Sequence, residues 1–402
     1  MTNQPLSIRY SPWQLFLSWQ WVLYSYLLFA LPVERLEAST VALLLLVTAP
    51  IQCPNLFFAS TRRHRKPWFL FFAFLLIGVA FSELPQKSLK GAYDCLRAAL
   101  VFFVGFFFVR QIALDSRFVE KLRTFSIVVV LAVTTFCAVS VVTSGNVWLR
   151  DNQLVQEVWR NLHEFANLVA VNVLVLGFVV WCRGLDRVSG LCLMVLIGVL
   201  ILTTSRGNLL AVTFSLGFLF AFGHRYRMLL WWFALLTALA FFVYAFFLHS
   251  GICFGDMCPG YTYEARKIIY QQVISQVEMQ PWTGYGLNVF KHLSGIQLEG
   301  RPIVMPNSAY LELLYSVGVI GFFALLLFVA VMLRVTRAEP PVSGSPAEVS
   351  PWRVFALMYA IYFLMRGLVD FKLVSFEFLG AIFLALGMRV GAWYREKEAP
   401  SC

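Results

Sequence analysis

The sequence is short of charge. Only 13% of its 402 residues are Asp, Glu, Lys or Arg, about half the share of a soluble domain. So few charges cannot cover the surface of a water-soluble globule of this length. Disorder is excluded for the opposite reason: a disordered chain needs low hydrophobicity, and 60% of these residues are apolar. Catalytic signatures of soluble enzymes are missing as well. There is no HExxH, CxxC or GxxxxGKS, so metalloprotease and P-loop ATPase readings find no support. Without a nucleotide site, the driving force has to come from a gradient or an activated substrate. No internal repeat is visible. The opening MTNQPLSIRYSPW lacks a basic n-region and a small-residue cleavage site, so the first span is expected to be retained.

What the sequence has instead is a succession of long apolar runs, and a membrane-crossing helix needs about 20 such residues. The runs predict an all-α polytopic membrane protein. Helices are expected at 13–31, 38–60, 67–82, 97–114, 124–143, 166–182, 188–204, 207–222, 227–248, 309–333, 352–370 and 373–394. That is about twelve transmembrane helices. The organisation follows as helices 1–9 over 1–248, a large periplasmic loop domain over 249–308, and helices 10–12 with a cytoplasmic tail over 309–402. Only Ser205-Arg206 separates two of the runs, so a tight helical hairpin is expected there.

The net charge of +11 reads as the inside-positive bias of membrane proteins rather than as nucleic-acid binding. The strongest local signal is Arg62, Arg63, Arg65 and Lys66 after the second run. It puts both termini in the cytoplasm and loops 83–96, 144–165 and 249–308 outside. Within the last loop, Ile269, Val273 and Val277 recur every fourth residue, on one helical face. That face serves either packing alone or a surface helix with a function. Residues 338–351, rich in Pro and Ser, read as a flexible inner connector.

Several outer residues carry chemistry. Cys253 and Cys258 bracket the turn CFGDMC, where an oxidising compartment would allow a disulfide. Arg206 lies at the outer tip of the hairpin, just before a helix whose free N–H groups face the same space. Together with Ser205 and Gly207 it makes an anion site suited to phosphate, or it reaches out to lipid headgroups. Arg266 and Lys267 open the loop helix. The turn PWTGYGLNVF, with Tyr285, suits a sugar ring or a membrane interface. Pro306 ends the loop, Asn307 and Ser308 can cap the next helix, and Tyr310 follows. Glu312 is a carboxylate at the outer leaflet that needs a partner. The outer histidines are His163, His249 and His292.

Three segments resemble the O-antigen ligase/polymerase superfamily: SRGNLLAV at 205–212, Arg266 followed by PWTGYGLNVF, and PNSAYLELLYSVGVIG at 306–321. They occur in the family's order, with the large outer loop between first and last. The resemblance implies a membrane glycosyltransferase moving a glycan from undecaprenyl pyrophosphate, on the periplasmic face of the bacterial inner membrane, to an acceptor hydroxyl. The acceptor would be a lipid A core sugar, another lipid-linked glycan or a protein side chain. Arg206 and Arg266 would hold the pyrophosphate, and no metal or nucleotide cofactor would be needed. Asn307 stands where family ligases carry histidine, and Asn is no general base. Electrostatic stabilisation then suffices, or His292, His163 or Glu312 takes that part, or the chain is not a core ligase. The same fold serves polymerases. The rival from another class is a polysaccharide flippase, which would show mid-span charges and repeat symmetry.

The charge bias makes a direct topological prediction. Single cysteines placed at 267–300 should react with an impermeant thiol reagent in whole spheroplasts. Cysteines beside Arg62–Lys66 should react only after the membrane is opened. The reverse pattern would invert the orientation.

Overall fold

The computed structural model describes residues 22–29, 31, 38–52, 65–111, 116–145, 149, 152–159, 162–203, 205–222, 259–298, 301–303, 306, 308–335, 350–368 and 376–397. A short helix over 22–29 precedes α1 (Ala38–Gln52), α2 (Arg65–Ala80), α3 (Pro85–Gln111), α4 (Ser116–Ser144) and α5 (Gln153–Trp159). Then come α6 (Leu162–Arg183), α7 (Arg187–Leu202), α8 (Arg206–Phe222), α9 (Pro259–Met279) and α10 (Phe290–Leu293). A two-stranded hairpin, β1 (Gln297–Leu298) and β2 (Arg301–Pro302), leads to α11 (Ala309–Val335), α12 (Pro351–Gly367) and α13 (Phe376–Lys397). Four of these are long and apolar enough to cross a membrane: Pro85–Arg110, Phe118–Ser144, Leu162–Arg183 and Ala309–Arg334. Shorter apolar helices surround them. The protein is an α-helical, multi-pass membrane protein, and the expected span at 227–248 lies outside the described residues.

The bundle has a central helix and a seam. Every residue of α6 from Phe165 to Val180 is buried, as expected of a helix that is apolar all round. α4, α7 and α8 pack on it. The seam joins α3 to α13 through glycines. A Cβ on Gly387 would strike the Phe102 carbonyl oxygen, one on Gly391 the Phe106 carbonyl oxygen, and one on Gly105 the Leu384 carbonyl oxygen. Gly387 and Gly391 form a GxxxG pair, which lets helix backbones approach where lipid offers no hydrophobic drive. Beside the seam an aromatic nest fills the space between helices. Trp68 of α2 stacks on Phe383 of α13 at 6.0 Å and meets Phe102 of α3 edge-on at 5.5 Å, with Phe328 of α11 at 5.5 Å.

Polar groups on the apolar helices are handled locally. On α4, Thr134 Oγ1 donates to the Val130 carbonyl at 2.7 Å and Thr143 Oγ1 to that of Val139 at 2.9 Å, each one turn back. At the far end of the bundle, α4 is tied to the α6–α7 connection. Arg123 donates to Glu120 at 2.9 Å and to Asp186 at 3.0 Å, and Arg183 pairs with Glu120. Asp186 caps α7, accepting from the Val188 and Ser189 amides at 3.0 Å. The Ser189 amide and hydroxyl, with Arg123, hold its carboxyl at about 2, well below the ordinary range.

Two expectations need revising. Residues 83–96 are not an outer loop, because α3 starts at Pro85, with Pro preorganised in the first turn. Its first turns carry Lys87, Lys90, Asp94 and Arg97, and that charge hides the helix from a hydropathy reading. The break at 203–205 also does not produce two arms packed along each other. α7 and α8 both lean on α6 and barely touch. The loop helix, by contrast, is where its periodicity put it, with Ile269 and Val273 buried.

The seam leads to a stability prediction. Gly387→Leu should destabilise the fold by about 3 kcal/mol or more, because a backbone carbonyl rather than a flexible side chain blocks the space. Gly198→Ala, with nothing within 4 Å of the added Cβ, should be neutral or stabilising by up to about 1 kcal/mol. Thermal melting of the detergent-solubilised proteins, followed by size-exclusion, reads both. Equal melting of the two variants would mean that the seam does not bear on stability.

Candidate functional site

α8 begins at Arg206, immediately after Ser205. Ser205 is buried; its carbonyl accepts from the Leu209 amide at 3.1 Å and its Oγ accepts from Asn208 Nδ2 at 3.0 Å. Serine suits the start of a helix because it satisfies donors that have no intrahelical partner. Gly207, the next residue, is buried. Asn208 is completely buried, and its Oδ1 accepts from the Tyr362 hydroxyl of α12 at 2.6 Å. Tyr362 is equally buried. The opening of α8 is thus fastened to α12 by a chain of three buried polar side chains.

The opening of α11 is fastened to the same stretch. Two residues along α12 from Tyr362, the Leu364 carbonyl accepts from the Tyr310 hydroxyl at 2.9 Å. Ser308, buried just before α11, takes the Glu312 amide on its carbonyl at 3.0 Å and lies 3.5 Å from the Leu311 amide through Oγ. It serves as the cap expected of it. Glu312 is 5% exposed in the first turn of α11. Asn307 and the side chain of Arg206 lie outside the described residues, as do Cys253 and Cys258.

A buried cation near this stretch of α12 is one that hydropathy did not single out. Arg366 is 1% exposed and donates from Nη2 to Asn167 Oδ1 of α6 at 3.2 Å. An arginine inside the apolar run YFLMRGL was the available signal, since a membrane helix rarely carries one without a use. Asn167, Asn208 and Tyr362 had no comparable sequence mark. α6, α8, α11 and α12 therefore meet at one level through side-chain hydrogen bonds rather than apolar packing alone.

The loop side is built around a backbone splice. α11 is broken at Gly318, whose φ of 59° and ψ of −168° are not helical. Into that break fits the turn 281–287. Tyr285 N donates to the Tyr315 carbonyl at 2.9 Å and Gly286 N to that of Ser316 at 2.8 Å. In return, Val319 N donates to the Pro281 carbonyl at 2.8 Å and Ile320 N to that of Trp282 at 3.2 Å. Gly284 has a φ of 64°, and a Cβ there would lie 2.6 Å from Gly318 N. The glycines of PWTGYG and of YSVGVIG are thus two halves of one joint. Leu287 N donates to the Gly78 carbonyl of α2 at 3.1 Å, and Ser88 Oγ of α3 donates to the Leu287 carbonyl at 3.1 Å, extending the joint to both helices.

Tyr285 stacks on Tyr315, centroids 4.7 Å apart at 21°, and its hydroxyl donates to the Gln276 carbonyl at 2.9 Å. Its ring is engaged in holding the splice to α9. Arg266 is half-buried on α9, one turn before Ile269. Ile269 and Val273 share a small apolar cluster with Tyr315, Val289 and Phe290, against which Leu311 packs. α11 is therefore the common partner: its Tyr310 shares α12 with the Arg206 helix, and its Leu311 shares an apolar cluster with the Arg266 helix. His292 is exposed on α10. Loss of hydration and then the Lys87 and Lys291 charges lower its pKa, so the ring is neutral at pH 7.

No curated protein matches the chain. Residues 191–326 match the family model described as O-antigen ligase, a segment that takes in most of α7, all of α8 and α9, the splice and α11 to just beyond its break. Over this segment the chain is similar to the O-antigen ligase family.

Proposed function

We propose that the protein is a membrane glycosyltransferase of the ligase type, moving a glycan from undecaprenyl pyrophosphate to an acceptor hydroxyl, a lipid A core sugar or similar, at the periplasmic face of the inner membrane. The observation that carries the reading is the pairing on α12. Tyr362 holds the opening of the Arg206 helix, and Leu364 holds the opening of the helix that carries Ser308, Tyr310 and Glu312. Two segments more than a hundred residues apart in sequence are brought to one level of the bundle, and the helix that carries Arg266 packs on the second of them. A polymerase would use the same donor chemistry with a lipid-linked glycan as acceptor.

The reaction has a simple balance. The acceptor oxygen forms a bond to the anomeric carbon, the bond from that carbon to the pyrophosphate oxygen breaks, and its electron pair leaves with undecaprenyl pyrophosphate. The acceptor proton passes to a base. Charge builds on the departing pyrophosphate where water is scarce. Arg206 and Arg266 answer it with bidentate forks, and the N–H groups of the first turn of α8 add partial positive charge. Asn307 can orient an acceptor but cannot take its proton. His292, neutral at pH 7, and Glu312 are the groups able to do so.

Arg206→Ala and Arg266→Ala should each lower glycan transfer about a hundredfold at matched expression, the usual cost of removing one such donor. Arg206→Lys should also be impaired, because it keeps the charge and loses the fork. Tyr362→Phe leaves Asn208 Oδ1 without its donor, a loss of about 1–3 kcal/mol, and should lower transfer while the protein still inserts and purifies. Near-normal transfer by both alanine variants, assayed with lipid-linked donor in detergent, would overturn the pyrophosphate clamp.

The pH profile separates the two bases. A base with a lowered pKa is ready at neutral pH and loses function only as pH falls through that depressed value, below its ordinary 6.5. Wild-type transfer should therefore fall on the acid side, and His292→Gln should flatten that limb. An unchanged acid limb in the variant would assign the proton to another group.

A further inference from the structure

We propose that Lys87, Lys90 and Lys291 form a docking site for the phosphate headgroup of a membrane lipid, whose hydrocarbon chains lie along the exposed stripe of α3. The site adjoins His292 but uses neither Arg206 nor Arg266, and its test reads lipid retention rather than glycan transfer.

The lysines come from two elements that converge. Lys87 and Lys90 stand on the first turns of α3, and Lys291 stands on α10. All three are exposed. Ser88, next to Lys87, bonds to the Leu287 carbonyl at 3.1 Å, which ties this turn of α3 to the segment that runs into Lys291. Gly91, next to Lys90, faces Asn288, where an added Cβ would come within 2.9 Å of Asn288 Cβ, so this turn of α3 lies against the segment leading into α10. Among the described residues none of the three has an ion pair. Of the acids on this stretch, Glu83 accepts from Gln280 at 3.0 Å, and Asp94 faces Arg97 at 3.7 Å.

The frame beneath them is rigid. Ser88, between the two α3 lysines, is fully buried and bonds to Ser82 at 2.6 Å and to the Leu287 carbonyl at 3.1 Å. Phe290, next to Lys291, is buried edge-on against Tyr315 at 5.0 Å. Three like charges held on a fixed frame repel one another, and an anion between them relieves that repulsion.

The apolar half of the site argues for a lipid rather than a free anion. Leu89, Tyr93, Leu96 and Leu100 are all at least 40% exposed and follow at spacings of four, three and four residues, one helical face. Lys90 borders that stripe. From Val101 to Val109 nearly every residue is buried, α13 being the main partner of that part of the helix. The open stripe is thus confined to the half of α3 nearest the lysines, as a lipid of one leaflet requires. A phosphate at the lysines and chains on the stripe match the two parts of a single amphipathic molecule.

The test uses the full-length protein in detergent, loaded with phosphatidylglycerol or phosphatidylcholine and read by native mass spectrometry. Wild type should retain phosphatidylglycerol in preference. Lysines near a membrane surface contribute about fivefold each to binding of anionic lipid, so Lys87→Gln/Lys90→Gln/Lys291→Gln should lower that retention by at least tenfold. Lys121→Gln, beyond the far end of α3, should retain it. Leu96→Asn/Leu100→Asn should weaken retention of the long-chain lipid, and millimolar inorganic phosphate should not displace it. Undiminished preference in the triple lysine variant would overturn the site, and displacement by inorganic phosphate would make it a soluble-anion site instead.

Discussion

The insertion of the 281–287 turn into the broken α11 is the constraint on which the loop side of this protein depends. A helix in a membrane cannot leave backbone groups unpaired, because lipid offers no substitute partner. The break at Gly318 frees exactly such groups, and the turn satisfies them with four backbone hydrogen bonds running in both directions. The joint in turn tolerates no side chain at its two central positions, Gly284 and Gly318. α9, α10 and the β-hairpin then hang from a fixed point. The small cluster of Ile269, Val273, Phe290 and Tyr315 is large enough to orient them because it does not have to anchor them.

This division of labour explains what the sequence disclosed and what it concealed. The apolar runs are visible because lipid imposes a long, local signal, and α4, α6 and α11 come out close to their expected positions. The α9 face was legible for the same reason, with Ile269 and Val273 four residues apart. α3 was half hidden, because its first turns trade lipid for the splice and carry Lys87, Lys90, Asp94 and Arg97. The three motif segments were recognisable, but their physical roles were not. Tyr285 reads in isolation as a sugar platform, and only the stacked Tyr315 reveals the load it bears. Gly284 and Gly318 look like unrelated punctuation until the chain brings them together.

The same limit applies at the α12 level. Asn208 and Tyr362 are 154 residues apart, and nothing local to either announces the other. Arg366 did carry a local mark, a charge inside an apolar run, because the membrane makes such a residue expensive wherever it sits. The general lesson is one of range. Features enforced by solvent can be read from a window of the chain, whereas features enforced by a distant partner become visible only when both partners are in view.

The glycine seam has a consequence for the order in which the molecule is made. Gly105 meets a backbone carbonyl of residue 384, so α3 leaves the ribosome and enters the bilayer long before its partner exists. N-terminal segments are produced first, and a contact spanning so much chain closes late. Throughout most of synthesis the glycine face of α3 is therefore a vacant berth in the membrane, exposed to lipid and to any passing helix. The bundle is latched from the C-terminal side, by α13 sliding into a place kept free for it. A chain that ends before residue 387 lacks the helix whose glycines fill this seam, and α3 is left without its main partner.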